Sequence, residues 1–249
     1  MKHDIVYLLK NDYDSEEMKY SVRSVVQNFP FRKLVIVGGC PEDMRADILI
    51  RDKQDGRTKW ERTMHSLKLA IKNEDLTEDI WIFNDDFFVM DRVRTETNYF
   101  NGTLEKRIID LKRKNPTSSG YIRSLEQLRG KLLYSNKDTL SFALHVPFLI
   151  NRRQAEQLFE SHPSLTMFRS FYGNYFKIPC QYMEDVKVYD LETVPDTPYI
   201  STTDETFKNG KVGEFLRRYF DKPSKYEITE EEIITRERYT EEGEIRYES

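Results

Sequence analysis

Short apolar runs alternate with amphipathic stretches over the first ninety residues, and this alternation limits the folds open to the chain. The apolar runs at 4–9, 33–39 and 46–52 have the length and residue types of strands. The stretches at 15–28 and 59–72 carry apolar residues at mostly helical spacing. Strands separated by single helices form βαβ units, whose strands lie parallel. We therefore expect an α/β fold, with a mixed, mostly parallel central sheet and helices on both faces.

The length of the chain suits one large core. Its 249 residues can form a single main domain, which we place at residues 1–220 with a loop-rich C-terminal annex. Residues 221–249 hold ten acidic and five basic side chains and are predicted to form an acidic tail. A solvated helix, an appended strand pair and a disordered end all remain open for this tail.

Composition argues against several classes of protein. Charged residues make up 33% of the chain, and no apolar run reaches the roughly 18 to 20 residues of a membrane span. The N-terminus lacks a signal-peptide pattern, so we expect a cytoplasmic protein. Cys40 and Cys180 are too few for a disulfide framework or a cysteine zinc site. A net charge of −4 disfavours nucleic acid as a partner, although the basic run 106–114 keeps it as a minor alternative.

Acidic side chains interrupt an otherwise apolar run at 79–90, which reads DIWIFNDDFFVM. Burying an unpaired carboxylate costs several kcal/mol, so Asp85 and Asp86 need a cation, strong donors or a strand end that opens on a cleft. The run is the fourth predicted strand of the open sheet. Ligands of such sheets bind beyond the carboxyl ends of the strands, which places the NDD motif (Asn84, Asp85 and Asp86) at a ligand site.

Carboxylates in such a cleft suit a hard divalent cation, because Mg²⁺ and Mn²⁺ prefer oxygen ligands. The spacing Asn84-x-Asp86 resembles the D-x-D signature of glycosyltransferases with the GT-A fold. In those enzymes the last carboxylate reaches the metal that bridges a nucleotide-sugar diphosphate. Here the first position is Asn84, which can bind a ribose or a metal-bound water but supplies no charge.

A longer resemblance extends this motif. Residues 17–39, with Tyr20 to Ser24 (YSVRS), together with the NDDFF segment, resemble the first half of Stealth-family proteins, which transfer sugar-1-phosphates from nucleotide sugars. The segment LHVPFLINRR resembles a later His-x-Pro segment of that family and makes His145 the matching histidine. The chain departs from the family at its start, where VYLLKND replaces the usual first strand. The resemblance implies a GT-A-like fold and Mn²⁺ or Mg²⁺ as cofactor.

The resemblance also implies roles for individual residues. Asp86 is the predicted metal ligand, with Asp85 as a second ligand or catalytic base. His145 either completes the metal shell or moves a proton. Predicted contacts to the nucleotide-sugar donor are Asn84, Arg57, Lys59, Arg62 and Asp12.

Two aromatic segments, 168–176 and 180–190, are either an acceptor platform or a packed annex. Asp185 or Glu184 in the second segment is a candidate general base, although no spacing singles out either one. The predicted function is metal-dependent transfer of a sugar to a carbohydrate or other hydroxyl acceptor. Transfer of a hexose-1-phosphate, glycosylation of a nucleic-acid base and a non-catalytic binding module are the alternatives.

Overall fold

The computed structural model describes residues 2–11, 16–53, 58–114, 117, 119–165 and 167–228. Its helices and strands follow the predicted alternation in the first half of the chain and become shorter in the second. In chain order they are β1 (Asp4–Leu8), α1 (Glu16–Asn28), β2 (Leu34–Val37), β3 (Ile48–Ile50), α2 (Lys59–Lys72), β4 (Asp79–Phe83), β5 (Phe87–Val89), β6 (Asn98–Phe100), α3 (Leu104–Lys114), α4 (Ser119–Tyr134), β7 (Phe148–Asn151), α5 (Arg152–Ser161), α6 (Phe168–Tyr175), β8 (Cys180–Tyr182), β9 (Tyr199–Ser201), α7 (Asp204–Asn209) and α8 (Lys211–Tyr219).

The central sheet has the strand order β3-β2-β1-β4-β7. The strands β1 to β4 pair in parallel, and β7 pairs antiparallel with β4. Parallel strands place their carboxyl ends at one edge, so the turn after β4 lies beside the ends of β1 and β2. The predicted mixed, mostly parallel sheet is confirmed.

Both faces of the sheet are covered, as the alternation along each strand shows. Val6 and Ile82 belong to a core shared with α2, α4, α5 and α6. Their neighbours Tyr7 and Phe83 belong to a second core, on the side of α1. Successive strand residues point to opposite faces, and all four side chains are at most 4% exposed. The apolar strands are therefore buried on both sides, as parallel strands usually are.

A C-terminal annex lies against the turn that follows β4. Its short strand β9 pairs antiparallel with β5, so that Phe87 faces Ser201. A separate apolar core holds this unit together, with Phe88 and Ile200 packed against Phe207 of α7. The annex therefore brings residues near position 200 directly beside the NDD motif.

The strand β7 is shorter than its sequence suggests. The alternating segment at 140–151 is typical of a strand pair or a bent strand carrying His145, but only Phe148–Asn151 is a strand. The backbone of Ser141 pairs with that of Asn101 and Gly102. From Phe142 onward, side chains satisfy much of the backbone before the strand. The guanidinium of the half-buried Arg169 donates to the carbonyl oxygens of Leu144 and Val146 at 3.0 and 2.9 Å. His145 consequently lies in a loop at the edge of the sheet.

The start of the predicted tail packs against the main body. Tyr226 is 2% exposed, and its hydroxyl donates to Asp47 at 2.6 Å. Arg23 of α1 binds both carboxylate oxygens of Glu227, at 2.9 and 2.6 Å. Residues 229–249 lie outside the described part of the chain. None of the described helices has both the length and the apolar character needed to cross a membrane.

Candidate active site

The NDD motif forms the turn between β4 and β5, at the carboxyl edge of the sheet. Two serines of α1 hold the far side of this turn. The Ser21 hydroxyl donates to the carbonyl oxygen of Phe87 at 2.5 Å, and the Ser24 hydroxyl accepts from the backbone N–H of Val89 at 3.0 Å. Both serines are fully buried. The predicted YSVRS segment therefore has a structural role in fixing β5.

Asp86 is paired with a lysine that the sequence analysis did not identify. The Lys187 ammonium contacts Asp86 Oδ2, and the Ser201 hydroxyl donates to the same oxygen at 2.9 Å. The ammonium also donates to the carbonyl oxygen of Thr202. The side chains of Lys187 and Asp86 are 12% and 16% exposed, so solvent screens this pair only weakly. The compensation that a buried carboxylate needs here comes from the protein itself.

The predicted metal site differs from this arrangement. In the described part of the chain, no three His, Cys, Asp or Glu side chains converge as a metal set. Asp86 Oδ2 is taken by Lys187, and the His145 ring is bonded to Asp185. The residues present therefore do not fit a divalent cation on that oxygen while the lysine stays in place. Mn²⁺ or Mg²⁺ binding by Asp85, Asp86 and His145 stays a prediction.

His145 and Asp185, two predicted catalytic residues, form a direct pair. His145 Nδ1 lies 2.9 Å from Oδ1 and 3.0 Å from Oδ2 of Asp185, and the backbone N–H of His145 donates to Oδ1 at 3.2 Å. Burial of the Asp185 carboxyl favours its neutral form, but the bonds from His145 and the charges of His145 and Arg107 outweigh burial and hold its pKa below the usual value. Asp185 is thus a carboxylate that orients the imidazole. Its neighbour Glu184 is exposed.

Tyr189 lines the same pocket as Asn84 of the NDD turn, His145 and Arg107. Partial burial raises the pKa of its phenol, and the charges of Asp185, Lys187, Arg107 and Asp86 also act on it. The NDD turn and the His145–Asp185 pair therefore belong to one site. Tyr189 itself is 70% exposed and stands at the mouth of the adjoining pocket.

A pocket of about 460 Å³ opens next to this charged cluster. Leu8 and Asn84 contribute to it from the ends of β1 and β4, which is the point where the chain reverses its direction of strand addition. Trp60 and Tyr121 stack at its rim with their ring centroids 6.3 Å apart, joining α2 to α4. Polar or charged lining residues are Thr63, Asn84, Arg107, His145, Arg169 and Ser170. Apolar side chains form most of the remaining wall, as ligand pockets usually show.

Two arginines supply positive charge to this pocket, and neither was among the predicted site residues. Burial lowers the pKa of Arg169 to about 10, while the charge of Asp86 acts in the opposite direction. Its bonds to the loop that carries His145 give it a positioning role. Arg107 Nε is buried and has no hydrogen-bond partner among the described residues. Such a donor costs free energy when left unpaired, which makes Arg107 a candidate for binding an acceptor oxygen of a ligand.

A buried acid lies behind the NDD turn. Glu17 of α1 is 5% exposed, and the Thr202 hydroxyl donates to its Oε1 at 2.7 Å. Burial raises the Glu17 pKa to about 7, and the charges of Asp85 and Asp86 act in the same direction against the hydrogen bond from Thr202. This carboxyl therefore titrates close to neutral pH.

Of the residues predicted to contact the donor, three lie in the described part of the chain and two lie outside it. Asn84 lines the pocket, whereas Lys59 is exposed and Arg62 half-buried on parts of α2 that do not line it. Arg57 and Asp12 lie outside the described residues. The pocket face of α2 consists of Trp60, Thr63, Met64 and Leu67 instead.

The ends of β1, β2 and β3 are held close together beside this site. The side-chain amide of Asn11 donates to the carbonyl oxygen of Asp52 at 2.6 Å, which links the segments that follow β1 and β3. A Cβ on Gly39, after β2, would come within 2.5 Å of the Lys10 carbonyl oxygen. This close approach requires glycine at position 39.

The predicted aromatic platform is mainly core. In the first segment, α6 buries Phe168, Phe171 and Tyr172 against the sheet. Only its first turn reaches the pocket, through Phe168, Arg169 and Ser170. In the second segment, Asp185 and Lys187 belong to the charged cluster. The alternation in EDVKVYD, with buried Val186 and Val188 between polar residues, is the sequence signal that could have revealed Lys187.

Comparisons with known proteins give matches among solved structures. No family model matches the chain, and no curated protein matches it. The chain is similar to a galactosyltransferase, LgtC, solved with donor and acceptor sugar analogues, at 11% identity and a TM-score of 0.49 over 92% of this chain and 98% of that one. It is also similar to the apo form of the glycosyltransferase GlyE of Streptococcus pneumoniae TIGR4, at 11% identity and a TM-score of 0.42 over 97% of this chain and 64% of that one.

The comparisons do not show the Stealth family. Activity does not follow from likenesses at 11% identity.

Proposed function

We propose that this chain transfers a sugar from a nucleotide-sugar donor to an acceptor hydroxyl. The observation that carries the proposal is the His145–Asp185 pair, which faces a ligand-sized pocket beside the NDD carboxylates. A histidine oriented by a carboxylate is a common general base, and the surrounding cations suit a charged leaving group.

The proton transfer follows from the contacts of the imidazole. Both side-chain contacts with Asp185 use Nδ1, so Nε2 is the ring atom that can accept a proton. In the proposed step the acceptor hydroxyl gives its proton to Nε2 while its oxygen bonds to the anomeric carbon of the donor. The bond from that carbon to the diphosphate breaks, and the nucleoside diphosphate leaves with the electron pair. Asp185 stabilises the imidazolium that results.

The rim of the pocket offers groups that suit a sugar. The Trp60 ring is 50% exposed at the pocket, and sugar rings present apolar C–H faces that pack on aromatic rings. Arg107 lines the pocket, and its guanidinium can donate to a hydroxyl or phosphate oxygen of a ligand. Trp60 is therefore the proposed packing surface for a sugar ring, and Arg107 its polar partner.

The assay that tests this proposal identifies the products as well as the turnover. The chain is incubated with UDP-, GDP-, CDP- and TDP-sugars, each with EDTA, Mn²⁺ or Mg²⁺, and the released nucleotide is measured. Release of a nucleoside diphosphate is expected, whereas a monophosphate would favour the sugar-1-phosphate alternative. The metal arms test the predicted Mn²⁺ or Mg²⁺ requirement directly.

A matched pair of histidine variants ties turnover to the site. His145→Asn is expected to reduce release by about 10²- to 10⁴-fold, the usual contribution of a general base. His3→Asn is the control, because His3 also pairs with a carboxylate, that of Glu96 at 3.1 Å, but precedes β1 at the opposite edge of the sheet. Turnover that survives in His145→Asn would contradict the proposed base. Failure of every nucleotide to bind or react would favour the binding-module alternative.

A further inference from the structure

The contacts of Lys187 point to a role beyond pairing with Asp86. Its ammonium contacts Asp86 Oδ2 and the carbonyl oxygen of Thr202, and the same Oδ2 accepts from Ser201. Backbone pairing fixes this geometry on both sides. Val188 N–H donates to the Ser201 carbonyl oxygen at 2.8 Å, and β9 pairs with β5 next to the NDD turn. The ammonium of the otherwise flexible Lys187 side chain is thus fixed in position beside the pocket.

A divalent cation on Asp86 Oδ2 would compete with this ammonium for the same oxygen. Two cations in contact in a partly buried site repel each other strongly. The chain therefore has two exclusive arrangements, with either Lys187 or a metal on Asp86 Oδ2. The hydrogen bonds around the ammonium favour the first arrangement.

The Lys187 ammonium also has an N–H donor left for a ligand. A lysine ammonium has three N–H donors, of which Asp86 and Thr202 occupy two. The side chain is 12% exposed, and Tyr189, two residues further along the chain, lines the pocket. Arg107 lines the same pocket. A phosphoryl oxygen arriving there would meet an oriented donor with positive charge.

We infer that Lys187 is the cation that binds the diphosphate of the donor, and that Asp86 positions this lysine rather than binding a metal. The inference rests on the proposed function, whose donor supplies the diphosphate. It predicts that nucleotide binding does not require a divalent ion. Replacing Asp86 should also affect pyrophosphate binding in opposite ways, depending on whether that carboxylate contacts a lysine or binds a metal.

The test measures binding of UDP, GDP, CDP, TDP and inorganic pyrophosphate to the EDTA-treated full chain by calorimetry. Binding is expected without metal for pyrophosphate and for the nucleotide of the donor. Lys187→Met should weaken it by about tenfold to hundredfold, the range for loss of a charged hydrogen bond, and Lys187→Arg should restore part of the affinity. Lys211→Met is the matched control, because Lys211 forms an exposed pair with Glu192 away from the site.

Asp86→Asn separates the two arrangements. The variant keeps an acceptor oxygen for the Lys187 ammonium but removes the negative charge that repels a phosphate, so metal-free pyrophosphate binding should be preserved or tightened. A metal-ligating Asp86 would give the reverse, with binding seen only when Mn²⁺ is added and lost in Asp86→Asn.

Urea unfolding of each variant identifies any that fail to fold. The double variant Lys187→Met with Asp86→Asn leaves no unpaired charge and should still bind pyrophosphate weakly. Mn²⁺-dependent binding that is unchanged in Lys187→Met would overturn the inference and leave the transferase proposal intact. Absence of binding with and without Mn²⁺ would contradict both.

Discussion

His145 and Asp185 are 40 residues apart in sequence, yet the imidazole Nδ1 lies 2.9 Å from the Asp185 carboxylate, which also accepts the backbone N–H of His145. The carboxylate therefore fixes both the ring and the loop that carries it. Asp185→Asn keeps the shape of the side chain but removes the charge that stabilises an imidazolium. We expect kcat to fall at least about tenfold with the donor KM little changed.

Steady-state kinetics on wild type and Asp185→Asn check this expectation. Asp190→Asn is the control, since Asp190 is exposed five residues further along and bonds only its own turn in the described contacts. An unchanged kcat in Asp185→Asn would remove the pair from the mechanism. A rise in donor KM alone would assign Asp185 to binding.

The buried hydroxyl of Ser21 joins β1, α1 and β5. It donates to the Phe87 carbonyl oxygen at 2.5 Å and bonds the Tyr7 hydroxyl at 2.9 Å. Ser21→Ala leaves both groups buried without this partner, and we expect the free energy of unfolding to fall by about 1 to 3 kcal/mol. Urea unfolding measures the change. Ser161→Ala, at an exposed helical serine, should stay within about 0.5 kcal/mol of wild type.

The first half of this fold is predictable because each of its strands and helices has a recognisable pattern within its own segment. The runs that became β1, β2 and β4 are apolar over four or five residues, and α1 and α2 have helical periodicity. Once these elements form βαβ units, the position of the NDD turn at the carboxyl edge follows. The fold class and the place of Asn84, Asp85 and Asp86 were therefore predictable.

The partners of those residues were not predictable, because they depend on pairing between distant short segments. Lys187 lies 101 residues from Asp86, and Ser201 lies 115 residues from it. Both reach the turn through β5 and β9, which have only three residues each. Strands of that length carry almost no periodicity. His145 and Asp185 were each proposed, but only the structure shows them as a pair.

Arg23 lies in the YSVRS segment of α1 and anchors the C-terminal segment. Its guanidinium binds both oxygens of Glu227 and donates to the Phe220 carbonyl oxygen at 2.9 Å. A lysine cannot reproduce this fork, so Arg23→Lys should lower the free energy of unfolding by about 2 kcal/mol. Turnover of the folded variant should match wild type. A loss of donor affinity without a loss of stability would instead place Arg23 at the ligand.

The buried carboxyl of Glu17 makes stability depend on pH. Burial raises its folded-state pKa to about 7, above the value of 4.5 expected when unfolded, so the folded protein holds this proton more tightly than the unfolded chain. Its contribution is present at low pH and is lost as pH rises from about 4.5 through 7. Glu17→Gln keeps a neutral side chain that can accept from Thr202 at every pH. The unfolding free energy of the variant relative to wild type should therefore increase with pH across this window, by at most about 1.4 kcal/mol per pH unit.

Urea unfolding of wild type and Glu17→Gln at pH 5, 6, 7 and 8 measures this difference. Glu16→Gln, at the neighbouring exposed carboxylate, is the control and should give a difference that stays nearly constant. Asp85 and Asp86 contribute to the raised pKa, so Asp86→Asn should shift the window to lower pH. A difference between Glu17→Gln and wild type that does not vary with pH would show that Glu17 is ionised in the folded state, with Thr202 and its neighbours providing the compensation.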